Sequence, residues 1–137
     1  MKRFLPRLLI LAWLAVLLRI TVFRPGCFTH GWFSGRVELD AFAYYLKLAR
    51  IGYWRYFTYL FVGNLIWFMP IGVIVRLRGS RLWQAALWGL AASLCIEAAQ
   101  FVLGTGVSEL DDLILNSCGA VLGYAAAALI GRIRQKS

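Results

Sequence analysis

The second half of the chain holds acidic and amide side chains at spacings that suit chemistry. Glu97 lies four residues after Ser93 and three before Gln100, so in a helix all three share one face. Glu109, Asp111 and Asp112 then crowd into a stretch, Gly104 to Asp112, that contains no lysine or arginine. Asn116, Gly119 and Gly123 continue from Asp112 at helical spacing, and Asn64 stands apart, followed by Phe68, Pro70 and Gly72. Carboxylates can hold a cation or exchange a proton, and amides offer both donors and acceptors.

Each group also has a plainer reading. Glu97, Gln100 and Ser93 can simply hydrogen-bond neighbouring helices, although a carboxyl group in hydrocarbon needs pairing, hydration or protonation. One carboxylate among Asp111 and Asp112 suffices to cap a helix start, where it meets orphan N–H groups and the positive dipole end. Three acids together repel one another unless a cation or a cationic partner balances them. The stripe through Gly119 and Gly123 admits close approach of another helix, and Pro70 is expected to break or kink the segment that carries Asn64.

The elements that must position these residues are membrane spans. Of 137 residues, 61% are hydrophobic, and the mean hydropathy is +0.71, beyond what a soluble fold of this length can bury. Four apolar runs, Phe4 to Phe23, Tyr56 to Val75, Leu82 to Leu103 and Leu113 to Ile130, are long enough to cross about 30 Å of hydrocarbon as helices. None alternates as barrel strands do, and a spanning segment must satisfy its own backbone hydrogen bonds. The expected fold is therefore an all-α integral membrane bundle of four transmembrane helices, one domain over residues 1–137. Between Arg24 and Arg55, Leu39, Phe42, Tyr45, Leu46 and Ala49 fall on one helical face and Arg36, Asp40 and Lys47 on another. That pattern predicts an additional amphipathic interfacial helix in the first loop, with Trp32, Tyr44, Tyr53, Trp54 and Tyr56 in the headgroup belt.

Basic residues set the expected orientation. Lys2, Arg3 and Arg7 precede the first run, Arg76, Arg78 and Arg81 join the second to the third, and Arg132, Arg134 and Lys136 close the chain. The loop before Asp112 has none, so both termini are expected in the cytoplasm and that loop outside a bacterial cytoplasmic membrane. The formal charge of +9 is spread between apolar runs rather than along one soluble face, which argues against nucleic acid. Cys95 and Cys118 fall inside spans as small hydrophobes, Cys27 lacks the apolar context of a lipidated cysteine, and His30 stands alone in an irregular loop. No metal-ligand spacing occurs, and no metal or cofactor is expected.

Two blocks carry a resemblance to a known family. Gly63-Asn64-Leu65-Ile66-Trp67-Phe68-Met69-Pro70-Ile71-Gly72 is similar to the G-N-x-x-x-F-x-P-x-G signature of the VanZ-like membrane proteins. That family is named for a teicoplanin resistance protein. Glu97-Ala98-Ala99-Gln100, followed by Glu109 to Gly119, resembles the family's E-x-x-Q and D-x-D-D-x-x-x-N-x-x-G. Glu109 replaces the usual aspartate, Ser108 stands where an aromatic is common, and no arginine precedes the acidic cluster. The resemblance covers Gly63 to Tyr124, within a core of residues 56–131, and implies a multi-helix membrane protein sometimes linked to lowered glycopeptide susceptibility.

From these residues, the leading expectation is an outward-facing polar pocket built from Asn64, Glu97, Gln100, Glu109, Asp111, Asp112 and Asn116. Its ligand would be amphiphilic or cationic, such as a lipid-linked cell-wall precursor or a lipoglycopeptide, beside an apolar wall. Phe68, Pro70, Gly72, Gly119 and Gly123 would serve structure. A membrane enzyme using carboxylate or metal chemistry is the first alternative, but no nucleophile is paired with a base and no catalytic residue is assigned. An accessory subunit binding a membrane partner, or a second copy of itself, through the glycine stripe is the other. The orientation has its own test: a cysteine at Ser108 should react with an impermeant thiol reagent in intact cells, and labelling only after lysis would invert the topology.

Overall fold

In the computed structural model, which describes residues 4–23 and 31–136, five helices and two short strands follow one another. Lys2, Arg3, Arg24, Pro25, Gly26, Cys27 and His30 lie outside the described residues. The helices are α1 (Phe4–Thr21), α2 (Ala43–Arg50), α3 (Trp54–Leu77), α4 (Leu82–Leu103) and α5 (Leu110–Lys136); β1 (Arg36–Glu38) and β2 (Val107–Glu109) pair as a ribbon. Four helices are long and apolar enough to span, at 18 to 26 residues, or about 27–39 Å at about 1.5 Å per residue. This is an all-α membrane bundle.

The chain divides into two compact units. The first comprises residues 1–37 and 96–108. Here Leu17 and Val22 are buried, whereas Phe4, Leu5, Leu9 and Leu11 of α1 are all exposed, as suits a helix whose solvent is hydrocarbon. The end of α4 receives the segment after α1: the Phe33 N–H donates to the Val102 carbonyl at 2.8 Å and the Gly35 N–H to that of Phe101 at 3.2 Å.

The second unit, residues 38–95 and 109–137, is built around α5. A β-carbon added at Gly119 would strike the Leu65 backbone, one at Gly123 the Met69 backbone, and one at Gly72 the Ala120 carbonyl. Leu65 and Met69 advance along α3 as Gly119 and Gly123 advance along α5, so the two helices run parallel in near backbone contact. On α4, Gly89 meets Ser117 and Ala120, while Ser93 meets Asp112 and Asn116; the pairing reverses direction and the helices are antiparallel. Tyr124 fastens α5 to the α3–α4 turn through a 2.9 Å bond from its hydroxyl to the Ser80 carbonyl, with Arg76 over its ring.

Several sequence expectations need correction in detail. Pro70 does not break its helix: α3 continues to Leu77. The fourth span starts at Leu110 rather than Leu113. The amphipathic helix exists but is shorter than expected and buries Tyr45 and Leu48, whereas Leu46 and Leu39 are exposed. Phe42 precedes it with φ of 59°, so the helix begins only at Ala43 and no continuous helical face runs back to Leu39. Helices α2, α3 and α4 all close alike. Gly52, Gly79 and Gly104 take positive φ, and N–H groups from Tyr53, Ser80 and Thr105 reach back to the carbonyls of Leu48, Val75 and Gln100. This ending needs a left-handed residue and satisfies carbonyls that lipid would leave bare.

Gly119→Ala and Gly123→Ala are each expected to lower stability by about 1–3 kcal/mol through overpacking. Gly63→Ala and Gly131→Ala, where an added methyl meets nothing, should raise it by up to about 1 kcal/mol through helix propensity. Detergent denaturation followed by circular dichroism ranks the four; equal effects would mean that the close α3–α5 approach does not hold in the membrane.

Candidate functional site

The second unit gathers most of the candidate residues into a chain of hydrogen bonds. Asn64 on α3 donates through Nδ2 to Oδ1 of Asp112 at 2.6 Å, and the same nitrogen lies 3.4 Å from the Tyr45 hydroxyl on α2. Ser93 on α4 donates to the Asp112 carbonyl at 3.3 Å and accepts from Nδ2 of Asn116 at 2.8 Å. Four helices thus meet through Tyr45, Asn64, Asp112, Ser93 and Asn116. Ser93 and Asn116 are buried, and Oδ1 of Asn116 has no hydrogen-bond partner among the described residues.

Tyr45 was visible in the sequence only as part of an apolar face. Its ring stands edge-on to Phe57 at 5.5 Å and to Phe61 at 5.8 Å, and only 4% of its surface is exposed. Burial, reinforced by the nearby Asp112 charge, holds its phenol well above the ordinary tyrosine range. It therefore stays protonated at neutral pH and remains available as a donor.

Asp111 faces a different way. Its Oδ1 accepts the Phe42 backbone N–H at 2.6 Å, so the carboxylate anchors the start of α2 rather than serving only its own helix. Beside it lies a cavity of about 320 Å³ lined by Glu38, Asp40, Tyr44, Lys47, Glu109 and Asp111 together with Ala43 and Leu110. Four carboxylates and one ammonium group share this space. Sequence reasoning singled out Glu109 and Asp111 but set Asp40, Tyr44 and Lys47 aside as a solvated face and a headgroup belt; the seven-residue spacing of Asp40 and Lys47 was the available signal. Among the described residues no group of His, Cys, Asp and Glu is arranged to hold a metal ion.

Glu97 and Gln100 belong to the first unit, and both are buried. The Gln100 side-chain N–H donates to the Thr21 carbonyl at 3.2 Å, tying α4 to the end of α1. The Glu97 carbonyl accepts from the Ser108 hydroxyl at 2.9 Å, which folds the following loop back on the helix. Of the sequence candidates, then, Asn64, Asp112 and Asn116 share one network, Glu109 and Asp111 share the cavity wall, and Glu97 and Gln100 form contacts of their own.

The two motif blocks thus carry interhelical bonds, and the VanZ/LLP1 family pattern matches residues 5–131. The chain belongs to the VanZ/LLP1 family. No curated protein and no solved structure matches it. Within this VanZ/LLP1 chain, the family resemblance and the geometry meet at Asn64 and Asp112: the two signature blocks are joined by the 2.6 Å bond between them.

Asn64→Leu is expected to destabilise the protein by about 1–3 kcal/mol, because it removes a donor from a carboxylate that lipid cannot solvate. Asp112→Leu should act comparably, and the double variant should fall short of additivity by about 1 kcal/mol or more. A double-mutant cycle in detergent denaturation checks this; strictly additive losses would show that the two blocks are energetically separate.

Proposed function

We propose that this VanZ/LLP1 chain is a binding protein of the bacterial cytoplasmic membrane that holds an amphiphilic ligand by a cationic group. The acidic cavity carries the reading. Glu38, Asp40, Glu109 and Asp111 outnumber Lys47 in a space of about 320 Å³, and such a wall lowers the energy of an amine or similar cation while apolar helix surface receives a lipid tail. With both termini cytoplasmic, the cavity opens on the extracytoplasmic side. A lipid-linked cell-wall precursor or a lipoglycopeptide meets this description, and sequestering either would lower glycopeptide susceptibility.

Supporting the reading, the cavity is bounded by fixed elements. Asp111 pins the start of α2, and Tyr45 and Leu48 pack that helix against its neighbours, so the carboxylates are positioned before a ligand arrives. Mass spectrometry of small molecules retained by the detergent-purified protein tests the proposal. Glu109→Gln with Asp111→Asn removes two charges while leaving Asp111 an acceptor for the Phe42 N–H, and it should reduce retention of one specific cationic species by about tenfold or more. An identical set of retained species in wild type and variant would sink the proposal.

A further inference from the structure

The corner between α2 and α3, which the proposed cavity does not use, presents a surface of the opposite charge. Arg50 closes α2 and Arg55 lies in the first turn of α3, separated by the turn through Ile51, Gly52 and Tyr53. That turn is fixed: the Gly52 N–H bonds the Ala49 carbonyl at 3.1 Å and the Tyr53 N–H bonds that of Leu48 at 2.9 Å. Both arginines are exposed, and among the described residues neither is paired with a carboxylate. Around them Ile51, Tyr53, Trp54, Tyr56 and Tyr59 are between 40% and 72% exposed. Tyr53 packs edge-on against Tyr56, which stacks on Tyr59 at 6.4 Å.

This combination differs from an ordinary solvated charge. Trp54 to Tyr59 cover six residues of α3, about 9 Å of helix at about 1.5 Å per residue, which matches a headgroup layer better than a deep apolar face. Aromatic side chains of this kind settle at the level where lipid phosphates lie. Two exposed guanidinium groups at that level suit an anionic neighbour, and the planar fork of arginine matches phosphate oxygens. We propose that the α2–α3 corner is a binding site for the phosphate of an anionic phospholipid, with Arg50 and Arg55 on the phosphate and the Tyr53, Trp54 and Tyr56 rings against the upper part of the acyl chains.

The full chain in nanodiscs of equimolar phosphatidylglycerol and phosphatidylcholine provides the test, with retained lipid counted by native mass spectrometry. Wild type should keep phosphatidylglycerol selectively, and Arg50→Gln with Arg55→Gln should reduce that selectivity by about fivefold per arginine. Arg78→Gln with Arg81→Gln, a pair of exposed arginines beyond the other end of α3, is the control and should leave most of the selectivity in place. Unchanged retention in the first variant, or an equal drop in the control, would overturn a local site. Excess inorganic phosphate should not displace the lipid; displacement would overturn the lipid assignment in favour of a free-anion site. Unaltered helical circular dichroism of the variants is expected from the exposure of these side chains. Should Arg50→Gln with Arg55→Gln fail to fold, Arg50→Lys with Arg55→Lys, which keeps the charge and loses the fork, is expected to reduce selectivity, and no reduction would overturn the guanidinium assignment.

Discussion

Hydrocarbon satisfies no hydrogen bond, and the structure follows from that constraint. Helices answer it for the backbone of the spans. At helix ends, where carbonyls lose their partners, three glycine turns fold the next N–H groups back onto α2, α3 and α4. Side chains answer it in a linked series, so that Asn64, Asp112, Ser93 and Asn116 bond one another across helices. Removing a single member takes a hydrogen-bond partner from its neighbour where hydrocarbon offers no replacement.

Close backbone approach makes that network possible. The carbonyls of Leu65 and Met69 lie against Gly119 and Gly123, and Gly72 returns the fit against Ala120. Such contacts depend on shape, since lipid tails are as apolar as leucine and give little hydrophobic drive to associate. They fix the axial register of α3 on α5, and register decides which polar groups face each other. A different packing of these two helices would carry Asn64 away from the Asp112 carboxylate.

The spans were legible because length and apolarity alone specify them: α4 runs from Leu82 to Leu103, as the apolar run does. Helix α3 was harder, since Pro70 signals a break by its missing N–H, yet α3 continues through it to Leu77. The interfacial helix was legible in kind but not in phase. Phe42 takes a left-handed conformation that no periodic pattern encodes, and Asp111, 69 residues away, accepts its N–H. For the same reason Tyr45 was hidden, because an apolar face and a caged phenol that reaches Asn64 look alike in a sequence. Asn64 and Asp112 stood out as polar residues in apolar runs, but which partner each takes depends on the α3–α5 register, and that is a tertiary property.

Two adjacent aspartates show how one turn of helix can serve two environments. Successive side chains on a helix diverge by about 100°, and Asp111 and Asp112 take different partners. Asp111 reaches the start of α2 and the cavity wall, whereas Asp112 reaches Asn64 on α3. Both sit in the first turn of α5, where unbonded N–H groups and the dipole favour negative charge. The helix start therefore stabilises a carboxylate that faces the cavity and one that locks the spans together. Asp111 at the cavity wall and Asp112 in the interhelical network are thus joined by a single peptide unit, so the register that sets one side chain also sets the other.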